Sequence, residues 1–201
     1  MKNNLVIVLL AICGLVCGCV KQDVANIAAK GDMIICFGDS ITFGYGAGPG
    51  EDYPTALAKM VALKVVNAGV SGDTTFEALK RLDSDVLSKK PRLVIVEFCG
   101  NDFLKKVPIK DTVNNLDEII TRIQDSGSMV ALVDISAGMF FKDYRRVFKK
   151  LARDKQAIFI PAVLSKVITN PSMKSDFLHP NQRGYQIVAS RIHKAISKYI
   201  E

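Results

Sequence analysis

From residue 33 onward, short apolar runs alternate with amphipathic stretches. Met33 to Phe37 is an apolar run that stops at Gly38, the pattern of a buried strand. Tyr53-Pro54 opens a helix with proline in its first turn, running to about Leu63. Lys64 to Asn67 reads as a second, short strand. Asp73 is placed to cap a helix from Thr74 to about Ser88, with Phe76, Leu79, Leu82, Val86 and Leu87 along one face. Pro91 breaks the chain before the apolar strand Leu93 to Phe98. A helix from about Asp111 to Asp125 is ended by Gly127. Met129 to Ile135 is another buried strand, Tyr144 to Lys155 a basic amphipathic helix, and Ala157 to Ile160 a last strand. Gln182 to about Tyr199 forms the final helix.

Strands that are apolar on both faces and alternate with helices predict a parallel sheet covered on both sides. The expected fold class is α/β, a three-layer α/β/α domain on a sheet of about five strands. Ligands of such sheets sit at the carboxyl ends of the strands. No internal repeat, low-complexity segment or linker interrupts residues 33–201.

The first residues follow a different pattern. Lys2 precedes an apolar run from Leu5 to Val16, ending in Val16-Cys17-Gly18-Cys19. A membrane-spanning helix needs about 20 apolar residues, so this shorter run reads as an export signal. Its end resembles the bacterial lipoprotein signal, in which a small residue precedes a cysteine that is lipidated. Residues 1–18 are therefore expected to be a signal peptide, Cys19 the lipidation site, and residues 19–32 the lipidated N-terminus and tether. Val20 rather than aspartate after Cys19 favours the outer membrane, on its periplasmic side, if the host sorts by that signal.

Composition changes this picture little. Of 201 residues, 49% are hydrophobic and 23% charged, which suits one ordinary globular domain and is too short for two. The net charge of +7 is spread over short doublets such as Lys89-Lys90 and Lys149-Lys150, so no nucleic-acid partner is expected. Once Cys13 and Cys17 leave with the signal, Cys36 and Cys99 remain. Two buried free thiols are the better reading, because parallel neighbouring strands rarely offer disulfide geometry.

The polar residues at strand ends carry the chemistry. Gly38-Asp39-Ser40 follows the first strand, Asn67-Ala68-Gly69 the second and Gly100-Asn101-Asp102 the third, while Asp176 and His179 lie before the last helix. A parallel sheet carries all of them to one edge. A serine nucleophile needs an adjacent base, usually a histidine oriented by a carboxylate. Of the two histidines, His193 lies inside the last helix, whereas His179 is in a loop three residues after Asp176. Asn101 and Gly69 could donate to an oxyanion. Singly, each has a plain reading: Gly-Asp-Ser is an ordinary turn, Asn101 a turn residue, and Asp-x-x-His a chance spacing. Together, in this order, they point to a serine esterase. The glycine-rich stretch 44–50 fits no dinucleotide fingerprint, there is no phosphate-binding loop motif, and Gly38 to Thr42 lacks the second glycine of the G-x-S-x-G elbow.

At these positions the chain resembles the GDSL, or SGNH, hydrolase superfamily, over nearly the whole of residues 33–201. Gly38-Asp39-Ser40-Ile41-Thr42, Gly69, Gly100-Asn101-Asp102 and Asp176 to His179 correspond to its four blocks. Within it, Ser71-Gly72-Asp73-Thr74, Arg81-Leu82, Pro91 and Val96-Glu97 are similar to the bacterial periplasmic thioesterase I, arylesterase and lysophospholipase group. The resemblance implies a flavodoxin-like SGNH fold, with Ser40 as nucleophile, His179 as base and Asp176 as its partner. It places the oxyanion hole at Ser40, Gly69 and Asn101. It implies no metal or organic cofactor. Cys99 stands where that group usually has glycine, and Ser136 to Phe141 departs from its pattern, which leaves the acyl preference open.

Ile41, Phe43, Phe103, Phe140 and Phe141 read equally as core or as the lining for a fatty-acyl or aryl group. The expected substrate is a small acyl ester, a lysophospholipid among the candidates, cleaved by a monomer held near the membrane by its anchor. A carbohydrate or peptidoglycan O-acetylesterase and a non-catalytic binding lipoprotein are the alternatives.

Overall fold

A computed structural model describes residues 23–137 and 141–201. The expected signal segment, Cys19 and Phe140 lie outside the described residues. Five parallel strands, β1 (Met33–Gly38), β2 (Lys64–Gly69), β3 (Leu93–Glu97), β4 (Met129–Val133) and β5 (Ile158–Ile160), form one sheet in the order β2-β1-β3-β4-β5. Seven α-helices are described: α1 (Ser40–Phe43), α2 (Tyr53–Ala58), α3 (Thr75–Asp85), α4 (Gly100–Leu104), α5 (Ile109–Asp125), α6 (Lys142–Asp154) and α7 (Gln182–Ile200). α2 packs on α7, while α5 packs between α3 and α6, so the sheet lies between two helical layers.

Every residue of β3 and β4 is buried, and so are Ile34 to Gly38 of β1. These are the continuous apolar strands that a sheet covered on both faces requires. Burying each such aliphatic side chain contributes about 1.5–3 kcal/mol, offset by the entropy of ordering the chain. Cys36 and Cys99 are buried, free members of this core. Burial pushes both thiols well above the ordinary cysteine range, so they stay protonated and unreactive.

Several elements differ from the sequence reading. α2 stops at Ala58 rather than Leu63, because the Lys59 amide turns back to Ala56 and Leu57 carbonyls and tightens the last turn. Thr74, not Asp73, caps α3: its amide donates to Glu77 Oε2 at 3.0 Å, closing a capping box. α3 ends at Asp85 and buries Thr75, Ala78 and Leu82, while Phe76 is 57% exposed. β4 ends at Val133, where the Asp134 carboxylate takes the Ser136 and Ala162 amides and turns the chain. α1 and α4 were not foreseen, since four and five residues are too few to show a helical period.

Of the stretch read as a tether, residues 23–32 carry packing of their own. Val24 is buried, and Asn26 Nδ2 donates to the Gln124 and Ser128 carbonyls at 2.7 and 3.0 Å. Among the described residues no helix is long and apolar enough to cross a membrane.

Candidate active site

The strand order reverses direction between β1 and β3, and crevices open at such switch points beyond the carboxyl ends of the strands. Ser40 follows β1 and Asn101 follows β3, so both stand at this crevice. Asp39 caps α1 by accepting from the Ile41 amide at 3.0 Å, which fixes Ser40 as the first helical residue. A first-turn amide has no partner inside its helix. The Ser40 amide accordingly makes no hydrogen bond to protein among the described residues.

Ser40 Oγ lies 2.9 Å from His179 Nε2. His179 Nδ1 lies 2.8 Å from Asp176 Oδ2 and 3.0 Å from Oδ1. With its proton on Nδ1 facing the carboxylate, the imidazole offers Nε2 as acceptor to the serine hydroxyl. Asp176 Oδ1 also accepts from the Leu178 and His179 amides, each at 2.8 Å. The three-residue spacing thus builds one turn that aims the carboxylate at the ring. Partial burial pulls the Asp176 carboxyl upward, but these amides and the His179 ring outweigh it and hold it below the usual carboxylate range.

The loop is braced from both sides. Ser175 N donates to the His179 carbonyl at 3.0 Å, and the Tyr45 ring packs 4.6 Å from the imidazole. Tyr185 of α7 donates its hydroxyl to the Tyr45 carbonyl at 2.8 Å. His193 is half-buried on α7 and takes no part in this cluster.

Asn101 is the second residue of α4, and its Nδ2 donates to the Asp73 carbonyl at 2.9 Å and to Asp39 Oδ2 at 3.3 Å. The longer bond is the one an incoming oxyanion can displace. Asp102, given no role by the sequence reading, anchors this helix. Its buried carboxylate accepts from Thr75 N at 3.0 Å, Thr75 Oγ1 at 2.6 Å and Thr112 Oγ1 at 3.1 Å, tying α4 to α3 and α5. Cys99 precedes α4 at φ 133°, a backbone region that favours glycine, and its side chain faces the core rather than the cavity wall.

Gly69 is the expected site residue that the structure does not bring to the crevice. Its amide donates to Asn67 Oδ1 at 2.9 Å. A Cβ there would lie 2.1 Å from the Phe43 amide nitrogen, so Gly69 serves the close approach of β2 to α1. Three residues on, Gly72 has φ 89°, is exposed, and its amide makes no hydrogen bond to protein among the described residues. Its neighbour Asp73 holds Asn101, and its own carbonyl accepts from Lys105 Nζ at 3.0 Å. The signal available in the sequence was the second glycine in Asn67 to Gly72, a position with no side chain to block a ligand.

Behind Ser40 lies a buried acidic pair. Thr42 Oγ1 donates to Glu97 Oε2 at 2.8 Å, and Tyr53 OH lies 3.0 Å from Thr42 Oγ1. Glu97 Oε1 is buried without a partner among the described residues. Burial, reinforced by the facing Asp39 charge, pushes Glu97 well above the carboxylate range. Burial also pushes Asp39 up, to about 6.

Ser40, Asn101 and His179 stand at a cavity of about 90 Å³, otherwise lined mainly by Leu104, Ile135, Phe141, Leu164, Ile168 and Leu178. Of the apolar residues singled out from the sequence, Ile41 and Phe141 line it. Phe43 is half-exposed and off the wall, and Phe103 packs edge-on against Phe141 at 4.9 Å. Leu104, Phe103 and Phe177 expose apolar surface, Phe177 in the loop that carries His179.

Residues 36–187 match the GDSL-like lipase/acylhydrolase family. An arylesterase from Vibrio mimicus is 30% identical over 180 residues, covering 84% of this chain and 90% of that protein. Thioesterase 1/protease 1/lysophospholipase L1 of Escherichia coli K12 is 28% identical over 181 residues, covering 86% and 87%. The crystal structure of TesA superposes with a TM-score of 0.78 at 25% identity, covering 83% of this chain and 99% of that one.

Proposed function

The chain belongs to the GDSL-like lipase/acylhydrolase family and is an ester-bond hydrolase, and from that premise we propose that it works through an acyl-enzyme on Ser40. The observation that carries this reading is the run of short contacts from Ser40 Oγ through His179 to Asp176, at 2.9 and 2.8 Å. Ser40 Oγ attacks the ester carbonyl carbon as its proton passes to His179 Nε2. The tetrahedral oxyanion accepts from the Ser40 amide, the Gly72 amide and Asn101 Nδ2, with Gly72 in the place expected for Gly69. Collapse breaks the bond to the alcohol or thiol, which leaves with the proton from His179. A water then repeats the sequence on the acyl-enzyme and frees Ser40. Asp176 holds the ring in the accepting tautomer and stabilises the imidazolium.

For the substrate, the apolar cavity wall supports an ester with an aryl or fatty-acyl group, a lysophospholipid among them. A series of nitrophenyl esters from acetyl to palmitoyl tests this. Each methylene that enters the apolar wall contributes about 0.8 kcal/mol, so kcat/KM is expected to rise about fourfold per carbon until the cavity is filled. A strict acetyl preference would instead favour the O-acetylesterase reading, which the small cavity volume also accommodates.

The anchoring of the enzyme is a separate proposal. Cys19, after the apolar run and Gly18, would carry the lipid and keep the site near membrane, where lysophospholipids are available. Cys19→Ser is expected to move the activity from the membrane fraction to the soluble fraction. Unchanged membrane retention would contradict lipidation at this residue.

A further inference from the structure

Arg81, in the middle of α3, extends to the place where the carboxyl ends of β1 and β2 meet, and its side chain is 16% exposed. Nη2 donates to the Gly38 carbonyl at 3.0 Å and Nη1 to the Ala68 carbonyl at 2.8 Å. Nε donates to Asp73 Oδ2 at 2.6 Å, and Nη1 also reaches Asp85 Oδ2 at 2.9 Å. The guanidinium lies over the Phe37 ring, 4.5 Å from its centroid. It is therefore held on three sides by backbone, carboxylate and aromatic face.

Each inner acceptor lies close in the chain to an oxyanion donor. Gly38 leads through Asp39 to the Ser40 amide. Ala68 begins the segment that runs through Gly69 to the Gly72 amide. Asp73 follows Gly72, and its carbonyl accepts from Asn101 Nδ2 at 2.9 Å. The Gly38 carbonyl also accepts the Val70 amide at 3.0 Å, so Arg81 is its second donor and adds a fixed direction rather than a missing partner. A planar fork of five donors can hold several acceptors at fixed angles, whereas an ammonium is a single point charge.

We propose that Arg81 is a positioning residue of the oxyanion hole, pinning the Gly38 and Ala68 carbonyls and the Asp73 carboxylate so that the Ser40 amide, the Gly72 amide and Asn101 keep their spacing. The proposal rests on the acyl-enzyme reading above. An oxyanion hole acts through geometry set in advance, so a shift of its donors costs rate in the transition state and little in ground-state binding.

Arg81→Lys and Arg81→Met are compared with the unaltered protein in ester hydrolysis and in end-point labelling by a fluorophosphonate. The label counts competent Ser40 sites, so kcat is expressed per labelled site. Outright loss of one donor costs about 10²–10³-fold, and the expected fall here is at least about fivefold, with KM changed by less than about threefold. Labelling is expected to slow in proportion while reaching the same end point, and lysine is not expected to rescue. A merely structural arginine would lower the labelled fraction and leave kcat per labelled site within about fivefold, which overturns the proposal. If neither variant folds, Asp73→Asn weakens the same link at nearly constant shape and is read by the same two outcomes. Failure of the unaltered, folded protein to label would instead overturn the acyl-enzyme reading itself.

Discussion

Alanine at Ser40 is expected to lower kcat on a nitrophenyl ester by about 10⁵–10⁶-fold while KM changes little. The hydroxyl that lies 2.9 Å from His179 Nε2 is the atom that would bond to the substrate carbon, and among the described residues no other hydroxyl or thiol lines the cavity. His179→Ala should cost about as much, because without an acceptor for its proton the hydroxyl is a poor nucleophile. The double variant should be no worse than either single one, since residues acting as a unit lose their effect together. Ser40 is partly exposed on a short capped helix, so the loss should come without a fall in stability. Steady-state hydrolysis alongside a urea melt checks both points. Losses that multiplied in the double variant would mean that Ser40 and His179 act independently.

Asp176→Asn carries the second large effect, a fall in kcat of about 10²–10⁴-fold. The asparagine oxygen can still accept the Leu178 and His179 amides that build the turn, each now at 2.8 Å. Its NH2 group, however, would face His179 Nδ1 and favour the tautomer with the proton on Nε2. That nitrogen could then no longer accept from Ser40. The side chain of Asp176 is 45% exposed, so water can partly restore the orientation, which sets the lower end of the range. The wild-type carboxyl, held below its ordinary range, stays ionised at neutral pH and supports the imidazolium throughout turnover. A loss under about tenfold would assign the orientation of the ring to other contacts, Tyr45 first among them.

The parts of this arrangement visible in the sequence are those set by local pattern. β1, β3 and β4 announce themselves because both faces are buried, and Asp176 to His179 is a single turn whose geometry follows from its spacing. Ser40 could be placed because it directly follows an apolar run. What escaped depends on contacts between distant segments. α4 has no period to read, and its anchor Asp102 is recognised only when Thr75 and Thr112 arrive from α3 and α5. Asp73 looked like a cap because local rules favour it, yet Arg81 claims its carboxylate. Gly69 and Gly72 are alike in sequence and differ in which one the Phe43 backbone presses upon. The cavity wall draws Leu104, Ile135, Leu164 and Ile168 from separate elements and loops, so no one stretch could reveal it.

The central claim is that an acyl group is carried covalently on Ser40. Mass spectrometry of the intact protein after fluorophosphonate treatment, followed by peptide mapping, tests it most directly. One adduct per chain on the peptide containing Ser40, absent from Ser40→Ala, is the expected result. A folded wild-type protein that takes no adduct, or takes it at another residue, would contradict the account.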